Sequence, residues 1–213
     1  MNERHRTIAI YNMDIQTKLV GDYGIPQIEP CDVVPEKLIG FNYVASSKLE
    51  SNAGVHFFID DYQFERVWRR PESYVGCLSK YKCVLTPDYS LYVDMSIAVQ
   101  IWNVYRSRLI GSFFQSNGID VVPTLQWSDA RSFDFAFDGL PNNSTVAVSA
   151  IGANRNSYSK MLWLDGMNEA IDRLSPNRVL VYGDIPDYQF PSSIEVVRYK
   201  SFVSELRSRT GAR

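Results

Sequence analysis

The chain has 213 residues, 45% of them apolar and 13% aromatic, and a formal net charge of −2. This composition supplies enough apolar side chains for a substantial core, which argues against general disorder. The weak negative charge argues against a protein that coats duplex nucleic acid, because such binding neutralises many phosphates. We expect one domain over residues 1–213, with an irregular N-terminal wrap at 1–37 and a basic C-terminal helix or tail at 200–213.

The cysteines and the apolar segments indicate the compartment. Cys31, Cys77 and Cys83 are odd in number and form no Cys-x-x-Cys pair, so neither a disulfide framework nor a thiolate zinc site is predicted. No run approaches the roughly 18 apolar residues that span a bilayer, and no charged segment followed by an apolar one opens the chain. We therefore expect a cytoplasmic protein with no membrane partner.

The first part of the chain is expected to begin irregularly and then to alternate strands with helices. Prolines and glycines before Lys37 argue against a long N-terminal helix. Residues 38–44 form the first predicted strand, and residues 55–59 form the second. Apolar residues at helical spacing over 64–68 predict a short helix that Pro71 ends.

The clearest predicted helix lies in the middle of the chain. It begins at Asp94, a favourable N-cap residue, and ends at the Asn117-Gly118 pair. Arg106 and Arg108 fall largely opposite its apolar face, so we expect them to face solvent or a partner. The apolar face is predicted to consist of Ala98, Ile101, Trp102, Tyr105, Leu109 and Phe113.

The remaining elements complete an alternating pattern. A second helix is predicted at Ser157–Leu174, and residues 194–199 are predicted as a third, although Ile194 is also counted as the start of a seventh strand. Six or seven strands that alternate with helices indicate a mainly parallel sheet. The predicted fold class is α/β, a compact or incomplete TIM-like barrel with an open doubly wound sheet as the alternative, because eight β/α units normally need about 200–250 residues.

Five short apolar runs each end in a polar or acidic cluster. Buried parallel strands have such sequences, and β/α proteins place ligand-binding groups at the carboxyl ends of their strands. The sequence therefore predicts one rim that carries the functional groups. The clusters begin at Asp60, Thr86, Gln126, Gly152 and Tyr182.

Five motifs between residues 25 and 183 form a distinctive combination. They are HFFIDDYQF at 56–64, PDYSLY at 87–92, IWNVYRSR at 101–108, VPTLQW at 122–127 and FDGLP at 137–141. Together they resemble a domain-of-unknown-function family found in phages and bacterial mobile elements. The resemblance implies a phage or mobile-element setting in a bacterial host cell, and it transfers no catalytic residue.

Four carboxylates at the predicted rim are the candidate catalytic residues. Asp60 and Asp61 follow one strand, and Asp88 and Asp129 follow two others. Two of them can serve as acid and base, because mutual repulsion separates their proton affinities. They can instead supply oxygen ligands to Mg²⁺, so the cofactor stays open. The alternative without a function is helix capping by Asp61 and Asp94.

Aromatic and polar groups at the same rim are the candidate ligand-binding residues. The Trp127 indole can stack on a sugar or a nucleobase while the Gln126 amide bonds to polar edges, or it can equally plug the mouth of the barrel. A turn before the helix at 157–174 can hold an anion through backbone amides and a guanidinium, or be a plain loop. The candidates in that turn and after the next strand are Ser149, Asn154, Arg155 and Tyr182.

Histidine chemistry is not indicated. The chain has two histidines, too few for a histidine-rich zinc site or for a convincing histidine-paired nucleophile. His56 lies within an apolar run, so we expect it to be buried and hydrogen-bonded.

Three functional hypotheses follow from these residues. The first is a protein that binds a small polar ligand, with nucleotides as one class, at the rim of the sheet. The second is an Asp-dependent hydrolase of phosphate esters or glycosides, with Mg²⁺ as an optional aid. The third is interaction with a host factor or nucleic acid through the basic C-terminal segment, where five basic residues face two acidic ones over 195–213.

Overall fold

The computed structural model describes residues 3–46 and 51–201. The α-helices of this part of the chain are α1 (Glu3–Tyr11), α2 (Glu65–Arg69), α3 (Glu72–Leu78), α4 (Ile97–Ser116), α5 (Phe133–Ala136) and α6 (Ser157–Leu174). Its strands are β1 (Leu19–Val20), β2 (Ile25–Pro26), β3 (Lys37–Gly40), β4 (Ala53–His56), β5 (Cys83–Leu85), β6 (Val121–Val122), β7 (Thr124–Leu125), β8 (Thr145–Ser149), β9 (Arg178–Tyr182) and β10 (Glu195–Tyr199). Short 3₁₀ turns lie at Phe41–Tyr43, Asp61–Gln63 and Ala130–Ser132.

Strands β3 to β10 are parallel and form two four-stranded sheets. One sheet has the order β3-β4-β5-β6, and the other has the order β10-β9-β8-β7. β6 and β7 are one stretch of chain divided by Pro123, which has no N–H to donate to a neighbouring strand. Next to Pro123, the Thr86 hydroxyl accepts a hydrogen bond from the Thr124 N–H at 2.9 Å. The two sheets are therefore continuous through this interrupted strand.

The inner faces of the two sheets pack against each other. The rings of His56 in β4 and Tyr182 in β9 lie 4.3 Å apart between centroids, although the two strands belong to different sheets. This contact requires the sheets to curve toward each other. The inner layer consists of Leu38, Phe58, Cys83, Leu85, Val122, Ala147, Leu180, Tyr182, Val197 and Tyr199, with Cys31, Val33 and Val34 from the N-terminal wrap.

The predicted α/β class with a mainly parallel sheet is confirmed. Within the described residues no hydrogen-bonded pairing joins the outer strands β3 and β10, so these strands do not close into a barrel. Their arrangement is consistent with the open-sheet alternative. Because the parallel strands run in one direction, their carboxyl ends share one rim, which is where the polar clusters of the sequence lie.

Helices cover the outer faces of the sheets. Along β5 the side chains alternate, so Val84 packs outward in the cluster that contains α4 while Cys83 and Leu85 point into the inner layer. α6 covers the other sheet through Trp163 and Met167. Apolar contacts on both faces explain why these strands read as short continuous apolar runs.

The buried face of α4 is more polar than the apolar pattern predicts. Of the six residues expected to form the apolar face, Leu109 alone is buried. The expectation that Arg106 and Arg108 face solvent or a partner is also wrong, because both guanidinium groups find acceptors inside the protein. The buried polar residues of the helix are Gln100, Asn103, Arg106, Ser107 and Arg108.

Arg108 is fully buried and ties α4 to two other segments. Its guanidinium donates to the backbone oxygens of Ala136 at 2.9 Å, Thr124 at 3.3 Å and Asp138 at 3.4 Å. Burial lowers the pKa of Arg108 to about 9, with Asp88 and Asp138 opposing the change. The side chain therefore keeps its charge at neutral pH and is solvated by carbonyl dipoles rather than by water.

Some predicted boundaries need correction. The long helix begins after the N-cap Ser96, whose hydroxyl accepts the Val99 N–H, so Asp94 is not its cap. The first parallel strand ends at Gly40 and continues as a 3₁₀ turn. The helix predicted at 194–199 is wrong, because that segment is β10 and pairs in parallel with β9. The helix predicted at Ser157–Leu174 is confirmed.

The N-terminal region has regular structure of its own. The wrap predicted at 1–37 contains α1 and the antiparallel β1–β2 pair within its described residues. Cys31, Cys77 and Cys83 are free thiols. No helix in the described part of the chain is long and apolar enough to cross a membrane. The basic segment predicted at 200–213, with its suggested nucleic-acid surface, lies outside the described residues from 202 onward.

Replacing Arg108 by methionine is expected to lower the free energy of unfolding by about 3 kcal/mol or more, because each buried carbonyl left without its donor costs about 1–3 kcal/mol. Chemical denaturation measures the change. Arg131→Met is the control, since the ion pair of Arg131 with Asp129 lies at the surface, where such pairs contribute little to stability. Equal losses in the two variants would contradict the role assigned to Arg108.

Candidate functional site

Two cavities lie side by side at the carboxyl-end rim. The first, about 340 Å³ in volume, is bordered by the ends of β4, β5, β7 and β8, and we call it the acidic cavity. The second, about 990 Å³ in volume, is bordered by the ends of β3, β4, β8, β9 and β10, and we call it the large cavity. Phe58, Ile59 and Ile151 line both cavities and form the wall between them.

Asp88 lines the acidic cavity. The residue is partly buried, and no hydrogen bond or ion pair engages its carboxyl group within residues 3–46 and 51–201. Burial raises the pKa of Asp88 to about 7, with a further rise from the charge of Asp61 and an opposing effect of Arg108. Asp60 lines the same cavity and is exposed. A carboxyl group with this pKa can donate or accept a proton near neutral pH.

Asp61 supports the cavity without lining it. Its carboxylate accepts hydrogen bonds from the backbone N–H of Ser90 at 3.0 Å and from the Ser90 hydroxyl at 2.9 Å. Asp61 is itself the first residue of the 3₁₀ turn Asp61–Gln63, so its side chain is not the N-cap. Its carboxylate instead holds the loop after β5, which carries Asp88.

The polar face of α4 fixes the same loop from the other side. Asn103 donates to the backbone oxygen of Ser90 at 2.7 Å and accepts a hydrogen bond from Arg106, also at 2.7 Å. Arg106 forms an ion pair with Glu65 of α2 at 2.8 Å. Its guanidinium also lies over the Tyr89 ring, 3.8 Å from the centroid. The loop after β5 is therefore held by a continuous set of polar contacts.

Gln126 lines the acidic cavity and has a buried acceptor without a partner in the described part of the chain. Its side chain is 5% exposed, and Nε2 donates to the backbone oxygen of Tyr89 at 2.9 Å. That bond fixes the orientation of the amide, and Oε1 has no hydrogen-bond partner within the described residues. The Tyr89 hydroxyl is also buried without a partner there. Such atoms are rare in native proteins, and a bound group that donates hydrogen bonds would satisfy Gln126.

Trp127 lines the acidic cavity, but its indole takes part in packing. The indole N–H donates to the backbone oxygen of Leu162 at 2.9 Å, and the ring contacts Phe137 and Trp163. α6 approaches this closely because it carries Gly166, where a Cβ would collide with the indole. Of the two alternatives left open by the sequence, a stacking platform and a plug at the mouth of the strands, these packing contacts favour the plug.

Of the candidates Ser149 and Asp129, only Ser149 lines one of the two cavities. Ser149 lines the acidic cavity, and its hydroxyl accepts the Ile151 N–H at 3.2 Å. Asp129 lies outside the lining of both cavities, so the structure does not group it with the other carboxylates. It caps a 3₁₀ turn and pairs with Arg131 at 2.8 Å. The hydrogen bond from Arg131 lowers the pKa of Asp129.

The other three candidates, Asn154, Arg155 and Tyr182, line the large cavity. Asn154 donates to the backbone oxygen of Asp184 at 2.9 Å, and Arg155 is exposed. The helix start that follows is closed by its own N-cap, Asn156. The candidate ligand-binding residues are thus divided between two cavities instead of surrounding one.

The sequence did not indicate that His56 lines the large cavity. The expectation that His56 is buried and hydrogen-bonded is confirmed, since it is 3% exposed and Nδ1 accepts the Phe58 N–H at 3.0 Å. Lys200 also borders this cavity and was not a candidate. Sheet curvature brings the ends of β4 and β10 to one space, and no local sequence signal reports it.

The possible magnesium site remains a prediction. Within the described ranges no group of three or more His, Cys, Asp or Glu side chains is arranged to hold a metal ion. Asp60 and Asp88 do border the same cavity. Mg²⁺ can be held by one or two carboxylates together with waters and substrate phosphate.

Comparison with known proteins assigns the family. A family model described as Domain of unknown function (DUF4417) matches residues 17–200. The chain belongs to this family. One relative is the Gene 1 protein of Mycobacterium phage L5, 37% identical over 200 residues that cover 93% of this chain and 87% of the relative. Another is the Gene 1 protein of Mycobacterium phage D29, 38% identical over 189 residues that cover 88% of this chain and 70% of the relative.

These relatives confirm the resemblance to a phage family that the motifs indicated. No solved structure matches the chain. The functional assignment of the DUF4417 rim therefore rests on the geometry of its two cavities.

Replacing Asp88 by asparagine is expected to stabilise the protein at high pH. In the unfolded chain the pKa of Asp88 is near 3.8, and in the folded protein it is about 7. The folded wild type therefore binds more protons between these values and loses stability as pH rises through this window. The gain of the variant should be near zero below pH 4 and on the order of 1–3 kcal/mol above pH 7, allowing for partial exposure of the site.

Denaturation of both proteins between pH 4 and pH 8 measures this difference. Asp172→Asn is the control, because Asp172 is exposed on α6 and outside both cavities. A stability difference between wild type and Asp88→Asn that did not change with pH would show that Asp88 titrates normally.

Proposed function

We propose that this DUF4417 protein binds a small polar ligand at the rim of its parallel strands, through ligand groups that donate hydrogen bonds into the acidic cavity. The observation that carries the proposal is the buried Oε1 of Gln126, which has no partner within the described residues. Asp88, in the lining of the same cavity, offers a carboxyl group that is equally unengaged there. Leaving a buried acceptor unsatisfied costs about 1–3 kcal/mol, which a bound donor would offset.

The charges around the acidic cavity indicate which ligand groups it favours. Asp60 and Asp88 are its charged lining residues, and no lysine or arginine is among the described residues that border it. Phosphate groups would meet repulsion from these carboxylates, whereas hydroxyl and amino groups would be attracted. Sugars and the ribose or base of a nucleoside are therefore favoured over a phosphate at this position. We place this function in the cytoplasm of a bacterial host, in keeping with the phage relatives.

A titration tests the proposal. Ribonucleosides, nucleotides and monosaccharides are added to the purified protein while intrinsic tryptophan fluorescence and the midpoint of thermal unfolding are recorded. Trp127 borders the cavity, so its emission is expected to respond to a bound ligand. Asp88→Asn and Gln126→Met should weaken the binding of the active compound about tenfold or more, because each removes an acceptor worth about 1–3 kcal/mol.

Asp172→Asn serves as the matched control and should retain the affinity of the wild type, because Asp172 is exposed on the outside of α6. Two outcomes count against the proposal. One is the absence of binding by every compound in the panel. The other is binding that persists with unchanged affinity in both Asp88→Asn and Gln126→Met.

Hydrolysis is the second candidate function, and the pKa of Asp88 favours it. A carboxyl group with a pKa of about 7 is suited to act as a general acid or base near neutral pH. Asp60 borders the same cavity and supplies a second carboxylate. Because Asp129 lies elsewhere, the reaction would depend on Asp88 and Asp60 without it.

Chromogenic p-nitrophenyl phosphate and p-nitrophenyl glycosides, with and without Mg²⁺, test this second candidate. A hydrolase should show a pH dependence with a limb near 7, and Asp88→Asn should lower kcat about 100-fold or more, within the typical contribution of an acid–base group. Asp129→Asn should leave turnover unchanged. Turnover that survives in Asp88→Asn would remove the assignment.

A further inference from the structure

The large cavity has a hydrogen-bond donor, His56, in its lining. His56 Nδ1 accepts the backbone N–H of Phe58 at 3.0 Å, so this nitrogen carries no proton. Burial lowers the pKa of His56 to about 3, so the ring is neutral at ordinary pH. A neutral imidazole has one N–H, which must therefore be on Nε2. No hydrogen-bond partner engages Nε2 in the described part of the chain, and the residue lines the cavity.

Positive charge lies at the edge of the same cavity. Arg155 and Lys200 are both exposed, and neither side chain makes an ion pair or a hydrogen bond with the residues that the structure describes. Asp184 is the one acidic residue among the described residues of the lining, and its backbone oxygen accepts a hydrogen bond from the Asn154 amide. Among the described lining residues two cations thus accompany one carboxylate, and this balance favours an anion. This charge is opposite in sign to that of the acidic cavity.

The interior of the cavity is apolar and partly aromatic. The Phe58 and Tyr182 rings stack 5.4 Å apart between centroids at an angle of 24°, and both contact the His56 ring. Leu38 and Ile151 add aliphatic surface. The volume of about 990 Å³ is at the upper end of the range typical of cofactor and drug-sized ligands. Flat rings fit such walls better than branched polar molecules do.

We propose that the large cavity is a second binding site, specific for a planar aromatic anion that accepts a hydrogen bond from His56 Nε2–H and places its charge beside Arg155 and Lys200. The site goes beyond the proposed function because it uses a separate cavity and the opposite ligand charge. A nucleotide base with its phosphate belongs to this chemical class, as does an aromatic sulfonate.

The sulfonate probe 1-anilinonaphthalene-8-sulfonate tests the site, since its fluorescence rises in apolar surroundings. The wild type is expected to bind it at one saturable site. Arg155→Gln with Lys200→Gln should weaken binding about fivefold or more, while the neutral probe N-phenyl-1-naphthylamine should bind both proteins alike. Arg131→Gln is the matched control, because Arg131 is an exposed arginine outside the lining of the cavity. Equal affinity of the sulfonate for the wild type and the double variant would overturn the proposal.

A second measurement addresses His56 without relying on a variant of that residue. The chain has two histidines, so a His5→Gln protein prepared without a tag has His56 as its one imidazole. Long-range ¹H–¹⁵N spectra should show the proton on Nε2, and the Nε2 signal should shift when the sulfonate probe is added. A proton on Nδ1, or an Nε2 signal that the probe leaves unchanged, would overturn the proposal. Neither result depends on whether the acidic cavity binds its own ligand.

Discussion

The buried guanidinium of Arg108 is the interaction on which the rim depends. It carries a full charge in a position with no solvent access, and backbone oxygens from two separate segments surround it. A charge in such a position is tolerated only when its donors are satisfied. The long helix α4 is thereby held at a fixed depth against β7. At this depth Asn103, which lies on the same helix, can reach the loop after β5 and donate a hydrogen bond to the backbone oxygen of Ser90.

These contacts explain why the buried face of α4 carries polar residues. In most helices the buried side is apolar, and polar groups there are a liability unless each has a partner. In α4 every one of these residues has a partner, and Asn103 in particular holds Ser90, which lines the acidic cavity. Asn103 and Arg106 therefore help to position the loop that carries Asp88, through contacts with Ser90 and Tyr89. Arg106 extends the same set of contacts to α2 through Glu65.

Sequence patterns were reliable where apolar contacts decide the structure. The limits of α6, the parallel strands and the common rim follow from apolar runs and turn residues, which act locally. The patterns predicted the helix α4 but not which of its faces is buried. Buried polar residues that form hydrogen bonds do not leave an apolar periodicity in the sequence. The direction of the Trp127 ring depends on a close approach to Gly166, far along the chain. The division of the candidate residues between two cavities depends on sheet curvature, which no short segment encodes.

The shared wall of Phe58, Ile59 and Ile151 has a thermodynamic consequence for the whole rim. A molecule that pushes these side chains toward one cavity changes the shape that remains on the other side. Any such effect must be mutual, so occupancy on one side alters affinity on the other by the same factor in both directions. Ile151 is exposed and lies in the turn after β8, so one edge of this wall borders solvent. Ligands bound on the two sides of this wall would therefore be coupled through the side chains they share.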